Sequence, residues 1–292
     1  MSQLEDLARC LTSSGYAPHP EGEGTYVLYT DDGSAILKHW TGDSFGNEEL
    51  LTSSVRPGST AAYIPTPDGG ILAYITDSSA VAVLQFDEDE EEWVDADNLP
   101  RCEVHADGQL TASLDPAGEV VITFQDNAGR LMCLHEAGEG ESWTTTEIEG
   151  AQKPARGTPL SIRVDPDTLA LEVFYVCADD SAIHMVVNEH GGMLWTDVVV
   201  LATGCGSPFK RVLVTKRPDQ AGFTAYALTC ADTILQLVAG EAGHELGRVN
   251  KDGSVVASTT AECCIVIFGL EIKLQFNLQI GASPARKRRF FG

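Results

Sequence analysis

One segment type recurs along this chain: an alternating apolar run, a polar turn, and a second apolar run. It reads YVLYTDDGSAILKHW from Tyr26, ILAYITDSSAVAVLQF from Ile71, VVITFQDNAGRLMCLHE from Val120 and LEVFYVCADDSAIHMVV from Leu171. FTAYALTCADTILQLV from Phe223 and CCIVIFGLEIKLQF from Cys263 complete the series. Anchored on Ile36, Val81, Leu131, Ile183, Ile234 and Ile272, the copies are 45, 50, 52, 51 and 38 residues apart. Period-2 alternation on both sides of a turn rich in Asp, Asn, Gly or Ser is a β-hairpin. A hairpin cannot bury its apolar face alone, so copies at a near-constant period must stack on one another.

Two further markers fall in phase. Pro67, Pro116, Pro166 and Pro218 open turns between a short preceding strand and the hairpin, at intervals of 49, 50 and 52 residues. Trp93, Trp143 and Trp195 each lead a fourth short strand. Four antiparallel strands per repeat of about 50 residues describe a propeller blade. The expected fold is therefore all-β, a six-bladed β-propeller of four-stranded antiparallel blades. Residues 1–14 are an N-terminal segment, 15–281 the propeller, and 282–292 a flexible basic C-terminal tail. The spacing of Leu4, Leu7 and Leu11 suits a short capping helix. A closing strand from the N-terminal stretch, or from Leu278 to Ile280, is the other way to protect an open blade edge.

Charge narrows the classes of partner. With 19 basic and 43 acidic side chains, the formal net charge is −24. Such a body repels phosphate, which excludes generic nucleic-acid or anionic-membrane binding. The N-terminal MSQLEDLARCL does not read as a secretory signal, and the longest apolar run is too short to span a bilayer. Eight cysteines without a CxxC spacing read as reduced thiols, the adjacent Cys263 and Cys264 included. These features point to an intracellular protein, nuclear or cytoplasmic.

The blade form "PDG, then xVYYxD, a turn, IxxxxxD, a loop and WT" resembles the fungal fucose-specific lectin family, a six-bladed β-propeller. The likeness runs over about residues 15 to 280 and is best in blades two to four. It implies sugar pockets between adjacent blades, each with an Arg on the second strand, a Glu on the third, and a stacking aromatic. By position the Arg slot falls near Tyr26, Leu72, Val121, Glu172 and Thr224, and the Glu slot near Lys38, Val83, Cys133, Met185 and Gln236. No slot holds its expected residue, so only the aromatic element persists, at Trp93, Trp143 and Trp195.

These three tryptophans are the candidate ligand-binding residues, with blade packing as their alternative role. Trp40, at the end of a third strand, is a weaker candidate for an exposed contact. Asp87, Glu88, Asp89, Glu90, Glu91 and Glu92 form a consecutive acidic run that reads as a solvated loop and offers a docking patch for a basic partner. Arg286, Lys287, Arg288, Arg289, Phe290 and Phe291 make a compact basic tail, readable as an import address, a docking peptide or a frayed end. Cys133 and His135 share a strand face but lack a third ligand, so no metal site and no cofactor are expected. No nucleophile-elbow, phosphate-loop, dinucleotide or kinase motif is present, and an enzyme is not expected. The function read from the sequence is a non-catalytic intracellular module that binds a basic protein through its acidic surface. The alternative is a fucose- or glycan-binding lectin that uses the inter-blade pockets.

Overall fold

The computed structural model of the protein describes residues 3–22, 24–66, 69–138, 142–188, 194–202, 207–217 and 222–258. After helix α1 (Gln3–Thr12), the first sheet comprises β1 (Gly15–Pro18), β2 (Thr25–Asp31), β3 (Ser34–Trp40) and β4 (Phe45–Thr52). The second holds β5 (Ala61–Thr66), β6 (Gly69–Ile75), β7 (Val81–Asp87) and β8 (Glu92–Asp95). The third holds β9 (Leu110–Leu114), β10 (Val120–Gln125), β11 (Leu131–Ala137) and β12 (Ser142–Glu147). The fourth holds β13 (Ser161–Val164), β14 (Leu171–Val176), β15 (Ile183–Asn188) and β16 (Thr196–Leu201). The fifth has β17 (Phe209–Lys216), β18 (Phe223–Thr229), β19 (Thr233–Val238), β20 (His244–Val249) and the extra strand β21 (Val255–Ala257). Every sheet is an antiparallel meander in chain order.

Among the described residues there are thus five blades rather than six, and the last carries five strands rather than four. The sixth hairpin, from Cys263, lies outside the described residues. So do Cys264, Pro67, Pro218, Leu278–Ile280 and the basic tail with Arg286, Lys287, Arg288, Arg289, Phe290 and Phe291. The N-terminal segment resolves as helix, not strand.

The first strands of successive blades touch in order, β1 to β5, β5 to β9, β9 to β13 and β13 to β17. They therefore line a common axis, and the later strands of each meander lie outward. Space at the axis is short. A side chain at Gly15 would run into the Ala61 carbonyl of the next blade, and Gln109 Nε2 donates to Lys210 O at 3.1 Å, joining the third blade to the fifth.

The core lies in the seams between blades. Leu28, Leu37, Leu72 and Leu84 fill the first seam, and Ile75, Val83, Ile122, Phe124 and Leu134 the second. Val121, Cys133, Val173, Tyr175 and Val186 fill the third, and Phe174, Met185, Val214 and Leu237 the fourth. Each Leu, Ile, Val, Phe or Met among them contributes about 1.5–3 kcal/mol on burial. Buried and half-buried polar groups pin the seams. Gln125, with no exposed surface, donates to Gly129 O and Ala155 O and accepts from Gly157 N. Arg56 donates to the His105 and Gly108 carbonyls of the next blade.

Helix α1 buries Leu4, Leu7, Ala8 and Leu11 against Leu213, Tyr226, Leu228, Ile234 and Leu246 of the fifth blade. On its other side the Arg9 guanidinium stacks on the Trp40 ring at 3.7 Å. The helix therefore bridges the fifth blade to the first. Trp40 is buried beneath it and offers no exposed contact.

Candidate functional site

Each tryptophan lies where the repeat places it, in β8, in β12, and immediately before β16. Each packs into the seam with the preceding blade: Trp93 in the first, Trp143 in the second, Trp195 in the third. A cleft is thus built from the second and third strands of one blade and the tryptophan of the next. What differs between clefts is the chemistry around the indole.

Strand register corrects two of the sequence-derived slots. Leu72 pairs with Leu84 and faces the first seam, while Val83 pairs with Ala73 and faces the second, so that pair cannot converge. Ile71, the neighbour of Leu72, takes the slot facing the second seam. In the first blade Lys38 pairs with Val27 and lies against Tyr29, Phe45 and Glu48, away from Tyr26, which pairs with His39.

The first cleft is the aromatic one. His19, from the loop between β1 and β2, lies 5.2 Å from Tyr26 and 4.9 Å from His39, centroid to centroid. Tyr26 meets the Tyr63 ring edge-on at 5.1 Å, and Tyr63 reaches Trp93 at 6.3 Å. Phe86 backs Trp93 at 5.5 Å. The indole N–H of Trp93 donates to Glu49 Oε1 at 2.7 Å, and Tyr63 OH donates to Gly69 O at 2.9 Å. Gly70 makes room for this cluster, since a Cβ there would strike the Tyr63 ring. His19, Tyr26, His39 and Trp93 remain partly exposed. Burial, then Glu21 and Glu49, raises the Tyr26 hydroxyl; burial, then Tyr26 and Glu49, pushes Tyr63 up to about 12. Both phenols therefore stay neutral at physiological pH. The cleft offers flat apolar ring faces beside hydroxyl, imidazole and carboxylate groups, which is how a ring with one apolar face and several hydroxyls is held.

The other clefts differ. In the second, Ile71 and Val83 face the seam with Trp143, and Gln85 pairs with Ile71 on the Val83 face; Trp143 is 8% exposed and its Nε1 meets no acceptor among the described residues. In the third, Val121 and Cys133 pack into the apolar seam rather than forming a polar slot. His135 there turns Nε2 toward Asp115 and Glu119, at 3.2 and 3.3 Å, and not toward Cys133.

The fourth holds a guanidinium and a carboxylate beside an aromatic ring, contrary to the expectation of unequipped clefts. Arg163 Nε lies 2.8 Å from Glu172 Oε2, an ionic contact whose angle falls short of a hydrogen bond. Arg163 also donates to Asp165, and its guanidinium carbon lies 5.6 Å from the Phe223 ring centre. Lys216 crosses from the fifth blade to Asp165 and Asp167, at 2.8 Å each. Burial would raise the Asp165 carboxyl, but Lys216 and the Asp167 and Thr168 amides outweigh it and hold the group well below its ordinary range. These charges are spent on one another, so this cleft is a structural network.

A fifth cluster lies at the turn between β14 and β15. His184, 4% exposed, faces Asp197 Oδ2 through Nδ1 at 2.8 Å and Asp180 Oδ2 through Nε2 at 3.1 Å. Tyr175 OH donates to Asp197 Oδ1 at 2.5 Å, and Cys177 lies alongside. The run Asp87, Glu88, Asp89, Glu90, Glu91 and Glu92 spans the turn from the last residue of β7 to the first of β8. Its members from Glu88 to Glu92 are exposed, and Asp87 Oδ1 accepts from the Asp89 and Glu90 amides.

Sheets of this kind, arrayed about one axis with clefts between them, define a β-propeller. The chain is similar to solved lectin structures of that fold. It matches AofleA from Arthrobotrys oligospora with a TM-score of 0.59 at 16% identity, over 85% of this chain and 79% of that one. It matches the fucose-specific lectin from Aleuria aurantia with a TM-score of 0.56 at 12% identity, over 76% of this chain and 74% of that one. The SapL1 lectin, solved with alpha methyl fucoside, matches with a TM-score of 0.54 at 16% identity, over 75% of this chain and 76% of that one. No family model and no curated protein matches the chain.

Proposed function

We propose that this protein is a carbohydrate-binding β-propeller whose main saccharide site is the first inter-blade cleft. The reading rests above all on the partly exposed cluster of His19, Tyr26, His39 and Trp93, with Glu49 on the indole N–H. The ligand class is a neutral sugar with an apolar ring face, fucose among the candidates, since structural neighbours include lectins described as fucose-specific. No arginine stands in the slot at Tyr26, so hydroxyl recognition falls to phenol, imidazole and carboxylate. Affinity per site is then expected to be modest, because charge-assisted hydrogen bonds are the stronger ones. A glycan array followed by titration of the best ligand tests this reading. Binding lost in Trp93→Ala and Tyr26→Ala supports it, and a folded protein that binds no glycan overturns it.

The main reading from sequence, an intracellular module for a basic protein, keeps one point in its favour: the acidic turn Glu88–Glu92 is exposed. Its test is capture of a basic peptide that weakens as salt screens the charge.

A further inference from the structure

We propose that Cys177, Asp180 and His184 form a zinc site at the β14–β15 turn, with Asp197 as the positioning residue behind the histidine. The three side chains each present a donor atom, and these atoms lie within 4.8 Å of one another. A tetrahedral zinc with Zn–N and Zn–O near 2.0–2.2 Å and Zn–S near 2.3 Å sets its donors roughly 3.3–3.8 Å apart. His184 Nε2 and Asp180 Oδ2 already stand at 3.1 Å. Thiolate, imidazole and carboxylate together are the ligand set of a borderline-soft ion and not of calcium or magnesium.

The outer shell is built as well. Zinc-bound histidines usually give their second ring nitrogen to a carboxylate, which fixes the ring. His184 does this: Nδ1 faces Asp197 at 2.8 Å, and Asp197 is in turn fixed by Tyr175 OH at 2.5 Å. The thiol and imidazole are buried, while the Asp180 side chain is 47% exposed and leaves an approach for the ion and a fourth, water ligand. One cation binding a thiolate and a carboxylate is charge-neutral, and Lys153 nearby is held by Asp179 at 2.6 Å. The cluster of Asp115, Glu119 and His135 lacks these features: it has no thiol, and its histidine turns one nitrogen to both acids, as an ion pair does.

The experiment uses the full chain, freed of metal by chelator dialysis and titrated with cobalt(II), then zinc. One equivalent of cobalt should bind with a thiolate-to-cobalt charge-transfer band in the near ultraviolet, and zinc should displace it. Cys177→Ser should abolish the band. Asp180→Asn, whose amide oxygen can still accept from Ala182 N, should weaken binding at least about tenfold. Asp197→Asn should weaken it about 10–100-fold without losing the band at saturation. A folded wild type with no thiolate band overturns the proposal, as does a band unchanged in both Cys177→Ser and Asp180→Asn, which would assign it to another cysteine such as the exposed Cys230.

Discussion

Helix α1 is predicted to be part of the propeller and not an appendage, and Leu7→Ala tests this. Leu7 has no exposed surface and packs among Leu213, Tyr226, Leu228, Ile234 and Leu246, whose backbones are fixed in the fifth blade. A rigid β-sheet wall collapses little around a deleted side chain, so the cavity persists. The cost should fall in the middle of the usual Leu→Ala range, about 3 kcal/mol. With a urea slope of roughly 2–3 kcal/mol/M, the midpoint should fall by about 1 M. The assay is urea unfolding followed by tryptophan fluorescence, which Trp40 beneath Arg9 should report. A midpoint shift below about 0.2 M, roughly 0.5 kcal/mol at that slope, would show that the helix is not packed as described.

The fourth seam yields a paired prediction. Arg163→Ala leaves the Glu172 carboxylate buried and should cost about 3–5 kcal/mol, whereas Arg163→Met with Glu172→Leu should be about as stable as wild type; chemical denaturation of both variants decides. Stability should also fall in acid. The Asp165 carboxyl, set among Arg163, Glu172, Lys216 and Asp167, is depressed on folding, so its contribution is present above about pH 4 and lost as pH drops below that. Melting temperatures of Asp165→Asn and wild type should therefore differ most at about pH 7 and draw together only as pH falls well below about 4; a difference independent of pH would refute the assignment. The tryptophans should separate by role. Trp143→Ala should cost about 3–5 kcal/mol of stability. Trp93→Ala, at a less buried position, should cost less stability than Trp143→Ala yet lose roughly tenfold or more in sugar affinity, about 1.4 kcal/mol.

Much of the architecture can be read from the sequence because each repeat states its strands twice, in alternation and in turn chemistry. Val81, Leu131 and Ile183 each open a third strand, and Trp93 and Trp143 each sit in a fourth. The helix is foreshadowed by Leu4, Leu7 and Leu11, although their spacing alone does not exclude a strand. The site is harder to read, because a one-residue change in turn length moves a side chain to the other face of its sheet. The first hairpin turns through Asp32 and Gly33, whereas Cys177 N pairs with Ala182 O across a longer turn. Slots counted along the chain therefore drift by one at Leu72 and Lys38. His19, Glu49 and Tyr63 carry no motif. Only the pairing of Tyr26 with His39, and the packing of one blade on the next, brings them to Trp93.

The most direct measurement is a crystal structure of the protein soaked with its best array ligand, or with α-methyl fucoside at saturating concentration. A pyranose ring is expected to lie against Trp93 and Tyr26 in the first cleft, with hydroxyls within hydrogen-bond reach of His19, His39 or Glu49. A sugar bound in the second or fourth cleft, or none at saturation with the first cleft open to solvent, would contradict it.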